Sequence, residues 1–288
     1  MSDPTVSCVI PTHGRPDFLR EALESVLSQE FPPSEVIVVS DDGNADSEAV
    51  VASFGDRGIP VRYLQNPDLP GASGSRNVGA QQASGELIAF LDDDDKWTPQ
   101  FLSRAIEIMS ATGTKLVVSW VEMFRGDRRA DGVNITPGLT YRDAGSRTPG
   151  LTGSNFVMSK DAFDAIGGFD PSLRVLNDID FMYRYLLTGG TYEVNTHRDL
   201  LQRRHDQGQL TKPTMMRADG VLQYIAKHRS TLRLSDVRHL KFIEHRTRYN
   251  AVDSRARKIR ELLSAIVYVA PADVVESIAN RRKRDIWH

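Results

Sequence analysis

Four consecutive carboxylates, Asp92 to Asp95, follow an apolar run in this chain of 288 residues. The run, residues 87–91, predicts a buried β-strand, so the acids lie at a strand end. Adjacent anions repel one another, and crowding them costs stability unless a cation is present. Mg²⁺ and Mn²⁺ prefer carboxylate oxygens, and magnesium usually binds one or two carboxylates together with substrate phosphates. The cluster therefore indicates a divalent-cation site; the alternative is a solvated acidic turn that caps a helix beginning near Pro99.

Two other polar groups also follow predicted strands. Thr12 comes after the apolar run 6–10, and Asp41 and Asp42 come after the run 35–39. Helical spacing separates these runs, and such alternation over the first ~120 residues predicts βαβ units with a mostly parallel sheet. Ligands of such sheets bind at the carboxyl ends of the strands. We therefore expect Thr12, the adjacent acids Asp41 and Asp42, and the acid cluster to share one site.

The elements that must position this site can be placed from apolar periodicity. Predicted strands cover residues 6–10, 35–39, 61–64, 87–91 and 116–121. Predicted helices cover residues 18–29, a segment up to about residue 54, residues 75–83 and residues 101–109. Residues 125–159 are rich in Gly, Pro and polar residues, which predicts loops with short strands. In the tail, Val252, Ala256, Ile259, Leu263 and Ile266 follow the spacing of an amphipathic helix.

Composition excludes several classes of protein. The chain has one cysteine, Cys8, so a disulfide framework and a cysteine metal cluster are both excluded. No apolar run approaches the ~20 residues of a membrane span, and no signal-peptide pattern opens the chain, so we expect a cytoplasmic protein. From residue 227 onward Lys and Arg outnumber Asp and Glu 15 to 7, whereas before it the count is 21 to 31. The acidic front argues against nucleic acid as the main ligand.

Taken together, six motifs resemble the inverting family 2 of nucleotide-sugar-dependent glycosyltransferases, which have the GT-A fold. The motifs are residues 9–15 (VIPTHGR), 38–43 (VVSDDG), 74–79 (GSRNVG), 85–95 (GELIAFLDDDD), 167–170 (GGFD) and 177–181 (NDIDF). The resemblance covers roughly residues 5–211. It implies an α/β GT-A fold, a mostly parallel Rossmann-like sheet with helices on both faces, and a helical C-terminal extension. We expect a catalytic domain at 1–212 and a basic extension at 213–288.

The resemblance also implies a metal site. Asp92 and Asp94 match the outer positions of the family's DXD motif, so Asp94 is expected to bind Mn²⁺ or Mg²⁺ and Asp92 to contact the ribose or the metal shell. His205 resembles a late histidine that completes the metal site in some relatives, although a lone histidine is more often structural. Asp93 is assigned to donor binding, and Asp95 to capping of the helix near Pro99.

Donor contacts follow from the same comparison. Asp42 matches the position that holds a uracil ring, which favours a UDP-linked donor, and Pro11, Thr12 and Arg15 belong to the first strand and its turn. For Asp41 and Asp42 the alternative is an Asx turn before a glycine. Arg76 is expected to contact the diphosphate or nucleotide, the alternative being a surface arginine. The next residue, Asn77, is also expected to contact the diphosphate or nucleotide; the alternative is that it caps a helix.

Inversion at a sugar carbon needs an acceptor hydroxyl that loses its proton as the donor bond breaks, and a carboxylate within hydrogen-bond reach can accept it. Asp178 matches the family's general base. The family usually has Glu before it, and this chain has Asn177. Asp180 is expected to orient the site or a helix start. The alternative for Asp178 is an N-cap of a helix at 179–187.

Other classes remain open at this point. A non-catalytic nucleotide-sugar-binding module would lack the general base. A nucleotidyltransferase would have a glycine-rich loop after its first strand, whereas residues 11–16 of this chain are poor in glycine. Trp97 is assigned to the core or to an acceptor platform. Residues 125–152 are expected to select the acceptor, because loops on a rigid sheet carry specificity. Saccharide, lipid-linked and small-molecule acceptors all fit.

The basic tail has three interpretations. Lys258, Arg260 and the run 281–284 lie beside amphipathic spacing, and such clusters gain about 1 kcal/mol per charge at an anionic membrane surface. One interpretation is a peripheral contact with the inner face of the membrane, where lipid-linked acceptors reside. A second is a helix face that pairs two subunits, and the third is a solvated basic helix.

Overall fold

The computed structural model describes residues 3–55, 57–147, 149–173, 175–205 and 214–271. The strands are β1 (Val6–Thr12), β2 (Glu35–Ser40), β3 (Val61–Gln65), β4 (Leu87–Phe90), β5 (Lys96–Trp97), β6 (Leu116–Arg125), β7 (Arg128–Asp131), β8 (Phe156–Ser159) and β9 (Glu193–Arg203). The helices are α1 (Pro16–Leu27), α2 (Ala45–Ala52), α3 (Ala72–Gln81), α4 (Phe101–Thr112), α5 (Tyr141–Ala144), α6 (Lys160–Ala165), α7 (Asn177–Leu187), α8 (Met215–Lys227), α9 (Leu234–Ala251) and α10 (Arg255–Tyr268).

One sheet of nine strands organises the described part of the chain. Its order is β3-β2-β1-β4-β8-β6-β9-β5, and β7 pairs with β6. The pairs among β3, β2, β1 and β4 are parallel, as are β6 and β9. Strand β8 runs antiparallel to both β4 and β6, while β5 and β7 run antiparallel to β9 and β6. Six of these strands therefore share one direction, which confirms the prediction of a mostly parallel sheet, and the three reversed strands make it mixed.

Helices cover both faces of the parallel strands, as the fold assignment predicts. On one face, alternate residues of β1 and β2 pack in one apolar cluster with residues of α1, α2 and α4. On the other face, α3 approaches β1 so closely that a Cβ at Gly79 would lie 2.3 Å from Val9 Cγ1. Only glycine fits there, which explains how a helix without a bulky apolar face packs against the sheet.

The cluster under α1 and α4 includes Cys8, which is completely buried in the central strand β1. Burial in apolar surroundings disfavours the thiolate and raises the pKa of the Cys8 thiol. The side chain therefore behaves as a small apolar residue.

The chain divides into two compact units. The first contains residues up to 141, 148–172 and 177–205, and the second contains 142–147, 173–176 and the chain from 206 onward. In the second unit α9 packs against both α8 and α10. The predicted boundary at residue 212 falls within 206–213, outside the described residues. Among the described residues, no helix is long and apolar enough to cross a membrane.

Candidate active site

The site is built at the carboxyl ends of three adjacent parallel strands. In the order β2-β1-β4, β1 ends at Thr12, β2 ends at Ser40, and β4 ends two residues before Asp92. Because parallel strands end at the same edge, the polar residues after each of them meet there. The structure thus brings together three of the sequence motifs.

Asp93 is the buried anchor of this edge. Its carboxylate accepts hydrogen bonds from Thr12 Oγ1 at 2.8 Å and from the His13 amide at 3.3 Å, and it forms an ion pair with Arg15. Burial raises the pKa of Asp93 to about 7, Asp94 adds to the rise, and Arg15 opposes it. Asp93 therefore fixes the turn after β1; its assignment to donor binding stays a prediction.

The two residues expected to bind metal lie in contact. His205 Nε2 is 2.9 Å from Asp94 Oδ2, and Arg15 Nη1 donates to the same oxygen at 2.8 Å. Burial would lower the pKa of the Arg15 guanidinium, but the carboxylates of Asp93 and Asp94 raise it. A cation of the protein therefore neutralises part of the acid cluster.

The acid cluster also has the donor atoms that a divalent ion needs. One carboxylate oxygen from each of Asp92, Asp94 and Asp95 lies within 4.8 Å of the others. All three are hard oxygen ligands, so the set fits Mg²⁺ or Mn²⁺. Burial, with repulsion from Asp94 and Asp92, raises the pKa of the Asp95 carboxyl well above its usual range, and a bound cation would relieve this repulsion.

The assignment of Asp95 to helix capping is wrong. Helix α4 begins at Phe101, and its N-cap residue Gln100 makes no side-chain cap. Asp95 instead accepts a hydrogen bond at 3.0 Å from the backbone amide of Arg203 at the end of β9. Its carboxylate thus joins the acid cluster to the strand that leads to His205.

Arg76 points into the site from α3. Its guanidinium is almost fully buried, forms an ion pair with Asp92 and lies 5.0 Å from the ring centroid of Phe169. A Cβ at Gly153 would lie 2.0 Å from Nη2, so a glycine makes room for it. Nε and Nη1 are buried without a hydrogen-bond partner among the described residues. The alternative of a surface arginine is therefore wrong, and two donors are left for an anionic ligand.

Asp178 lies in the first turn of α7, which begins at Asn177. It is not the residue before the helix, so the N-cap alternative is wrong. Asn177 Oδ1 accepts from the Asp178 amide, and Asn177 Nδ2 donates to Ser73 Oγ at 3.0 Å, which ties α7 to α3. Burial raises the pKa of the Asp178 carboxyl to about 6; Arg76 lowers it and Asp92 raises it. These charges place Asp178 in the electrostatic field of the strand-end site.

Asp180 is fully buried and paired. Its carboxylate accepts from Arg184 Nε at 2.8 Å, and Arg184 also donates to the carbonyls of Ile166 and Gly168. These contacts orient the turn that precedes α7, in line with the predicted orienting role.

The remaining donor candidates lie around the end of β2. Asp42 Oδ1 accepts from Ser40 Oγ at 2.7 Å and from the Asn44 amide at 3.3 Å, which is the Asx turn expected for one of the pair. Asp41 accepts from His13 Nδ1, and this hydrogen bond raises the pKa of His13. Pro11 is buried in β1 opposite Val39.

Comparison with known proteins identifies the family. The family model described as glycosyl transferase family 2 matches residues 7–167, more than half of the chain. The chain belongs to glycosyl transferase family 2. An uncharacterized glycosyltransferase of Rickettsia typhi is 27% identical over 220 residues, 74% of this chain and 67% of that protein. The Escherichia coli UDP-Glc:alpha-D-GlcNAc-diphosphoundecaprenol beta-1,3-glucosyltransferase is 35% identical over 109 residues, 38% of this chain and 42% of that one.

Solved structures confirm the fold of this glycosyltransferase. Staphylococcus aureus TarS in complex with UDP-GlcNAc has a TM-score of 0.62 at 16% identity, covering 89% of each chain. The mannosyltransferase PcManGT from Pyrobaculum calidifontis, in complex with GDP-Man and Mn²⁺, has a TM-score of 0.65 at 15% identity, covering 98% of this chain and 81% of its own. The GT-A fold and the enzyme class expected from the motifs are confirmed.

Sequence reasoning missed several residues that hold this glycosyltransferase site in place. Ser154 Oγ accepts from the Asp92 amide at 3.0 Å, and the Ser154 carbonyl accepts from Trp97 Nε1 at 2.7 Å. Trp97 is buried and stacks on Phe101. Its position therefore fits the assignment to the core and not the assignment to an acceptor platform. No pattern distinguishes Ser154 from other loop serines, although it follows a Gly-Thr-rich stretch.

Arg203 is the second missed residue. Its guanidinium lies between the rings of Phe18 and Phe124, 4.6 Å from each centroid, and it donates to the Asp94 carbonyl and to Glu21. The available signal was the basic pair Arg203-Arg204, which directly precedes His205 in the sequence.

Asn77 is the third. Its side-chain amide donates to the Phe169 carbonyl and accepts from the Phe169 amide, so it tethers a turn and does not cap a helix.

Proposed function

We propose that this glycosyltransferase moves a sugar from a nucleotide-diphosphate donor to an acceptor hydroxyl with inversion, and that Asp178 is the general base. The observation that carries the proposal is the Asp178 carboxylate, whose pKa of about 6 leaves it ionised but basic at neutral pH, in the field of Arg76 and Asp92. A general base works best when its pKa lies near the operating pH.

The proton balance is simple. The acceptor oxygen forms its bond to the anomeric carbon while the bond from that carbon to the diphosphate oxygen breaks. The hydroxyl proton passes to a carboxylate oxygen of Asp178, and the nucleoside diphosphate leaves with the bonding electrons. Attack from the side opposite the leaving group gives the inverted anomer.

The leaving diphosphate gains negative charge, which cations must stabilise. The buried donors of Arg76 and the guanidinium of Arg15 are the protein cations at this edge. Asp94 and His205, with Asp92 beside them, are the residues that would hold Mn²⁺ or Mg²⁺, and the metal would supply further charge neutralisation. The PcManGT complex, which contains Mn²⁺, supports this assignment by analogy of fold.

For the donor we favour a UDP-sugar, with Asp42 and Thr12 on the nucleoside side. The name of the E. coli relative includes a UDP-linked donor, and its similarity to this chain supports the choice. The acceptor is a saccharide, a lipid-linked saccharide or a small molecule, selected by residues 125–152. A Campylobacter jejuni relative, 34% identical over 105 residues, is also named for an undecaprenol-linked substrate, so lipid-linked saccharides are the first to try.

A donor screen tests the proposal. The chain is incubated with single sugar nucleotides and Mn²⁺, and slow hydrolysis is followed by release of the nucleoside diphosphate. We expect a UDP-sugar to be hydrolysed, and the hydrolysis to stop in excess chelator. NMR of the first product should show the opposite anomeric configuration to the donor; a retained configuration would contradict inversion, and full turnover in chelator would contradict the metal assignment.

A further inference from the structure

Helix α10 has its polar and apolar faces reversed with respect to an ordinary surface helix. The residues that it buries are Glu261 and Ala265. Five aliphatic side chains on the same helix are between 48% and 72% exposed, namely Ile259, Leu262, Leu263, Ile266 and Val267. We call these five residues the aliphatic stripe. A helix of a water-soluble domain normally buries such a stripe, so this one is built for an apolar environment outside its unit.

The contacts of α10 with α9 are polar and aromatic. His245 Nδ1 lies 2.8 Å from Glu261 Oε2, and the His245 ring stacks on Tyr268 with centroids 5.7 Å apart. Arg238 Nε donates to the Tyr268 carbonyl at 3.1 Å. These groups hold α10 against α9, while about half or more of each side chain of the aliphatic stripe stays exposed.

Positive charge borders the aliphatic stripe. Lys258 and Arg260 precede and follow Ile259, so they lie about 100° to either side of it around the helix axis. Arg255 and Arg257 add two more cations in the first turn. The single acidic residue of α10, Glu261, is buried and paired with His245 and with Arg260, whose side chain remains 73% exposed. The outward surface of the helix is therefore aliphatic with a cationic border.

We propose that α10 lies in the plane of an anionic membrane surface, with the aliphatic stripe among the acyl chains and Lys258 and Arg260 at the head groups. This division of side chains is the one that in-plane membrane helices use. A helix of 14 residues is about 21 Å long and too short to span a bilayer.

Charge favours a membrane over a second copy of the chain as the occupant. Pairing two aliphatic stripes would bring two cationic borders together, whereas anionic head groups neutralise them. The sequence after α10 adds four consecutive basic residues, 281–284, and Trp287; they lie outside the described residues. The proposal does not rest on sugar transfer, since binding to vesicles requires no catalysis.

Vesicle sedimentation of the full chain tests the proposal. Vesicles of equal parts phosphatidylglycerol and phosphatidylcholine should pull down the wild-type chain, and vesicles of phosphatidylcholine alone should bind it far less. Added salt should weaken the binding. The double variant Leu263→Glu with Ile266→Glu should lose at least about tenfold in partition coefficient, because each aliphatic side chain adds more than that on burial. Ser110→Glu with Ala111→Glu, which places the same two charges on exposed residues of α4 in the other unit, is the matched control and should bind like wild type.

A second variant isolates the charges. Arg260→Gln on the exposed border should weaken binding by about fivefold and reduce its salt dependence, without touching the aliphatic stripe. Circular dichroism identical to wild type would show that both variants keep their helices.

Three outcomes would overturn the proposal. The first is wild-type chain that stays in the supernatant with anionic vesicles. The second is a double variant of the aliphatic stripe that binds as tightly as wild type. The third is a dimer in light scattering that the double variant converts to monomer while vesicle binding is absent, which would assign the aliphatic stripe to a second copy.

Discussion

Folded proteins usually bury apolar side chains and expose charged ones. The strand-end site and helix α10 depart from this rule in opposite ways. At the ends of β1 and β4 the chain buries charge, with Asp93 and Arg76 almost inaccessible to solvent. On α10 it exposes aliphatic side chains and buries a glutamate. A folded protein tolerates each arrangement at a cost in stability, and each identifies the partner that would remove the cost. The partner that we propose for the first is a cation with a diphosphate, and the one that we propose for the second is an apolar phase with negative head groups.

The two regions differ in how much of that cost the protein already offsets. At the strand ends Arg15 pairs with Asp94 and Arg76 pairs with Asp92, so the site is partly neutralised before a ligand arrives. The aliphatic stripe stays exposed within its unit. We therefore expect substitutions at the strand ends to change both catalysis and stability, and substitutions in the aliphatic stripe to change only association.

The largest effect is expected for Asp94→Ala, which should abolish sugar transfer while the fold survives. Asp94 carries the oxygen that His205 contacts. Its removal takes a ligand from the proposed metal ion, so the negative charge of the leaving diphosphate is no longer neutralised. Activity is measured by nucleoside-diphosphate release, and the melting temperature checks the fold. Glu107→Ala, which removes an exposed acid of α4, is the matched control and should keep full activity.

Asp178→Asn should lower transfer by roughly 10²-fold or more and leave donor affinity nearly unchanged. Asparagine keeps the shape of aspartate but cannot accept the proton. Single-turnover transfer and equilibrium binding of the donor separate the two quantities. Asp164→Asn, on an exposed acid of α6, is the control; near-normal turnover by the Asp178 variant would contradict the role of the base.

The pH dependence of the wild-type enzyme gives a third test. Since Asp178 must be ionised to accept a proton, and its pKa is about 6, kcat/KM should rise with pH and level off above about 6. Below this value it should fall about tenfold per pH unit. A profile that stays flat through pH 5 would show that another group limits the reaction.

Asp178→Asn should also stabilise the fold at alkaline pH. The folded pKa of Asp178, about 6, exceeds its ordinary value of 3.8, so the folded state disfavours the carboxylate. The resulting cost is absent below the ordinary value and complete above pH 6. The melting temperature of the variant should therefore exceed that of wild type by a few degrees above pH 7, and the difference should approach zero near pH 3. A constant difference at every pH would refute this explanation.

The smallest effect is expected in the aliphatic stripe. Leu263 and Ile266 are 61% and 57% exposed, so the change of both to Glu should alter the free energy of unfolding by less than about 0.5 kcal/mol per site. Transfer to a water-soluble acceptor should equal that of wild type. A strongly lowered melting temperature would mean that the stripe packs inside the protein, and the contrast between the two regions would fail.

The strand ends could be predicted because their physics is local. Residues 36–39 are all β-branched and residues 87–91 are all apolar, and each run is followed by acids that cannot continue a buried strand. Parallel strands end at one edge, so the sequence alone brings Thr12, Asp42 and Asp94 to one site. The assignment of Asp178 needed the family resemblance, since a single aspartate at a helix start carries no chemistry of its own.

The supporting contacts could not be predicted because they join distant parts of the chain. Asp95 is separated by 108 residues from its partner Arg203, and Asn77 by 92 residues from Phe169. Propensity favoured Asp95 as a helix cap, and a tertiary hydrogen bond prevailed. A tertiary contact also decided the orientation of α10. Its apolar spacing predicted a helix, but not that the pairing of Glu261 with His245 would determine which face of the helix is buried.

Cys8 has a practical consequence. It is the only cysteine of the chain, it is enclosed in the central strand, and its thiol resists ionisation, so thiol reagents should leave the native protein unmodified. A cysteine placed at an exposed position can therefore carry a fluorophore or spin label without competition. A label at Val267 would report the polarity around α10 directly, and one at Val133 would serve as the reference in water.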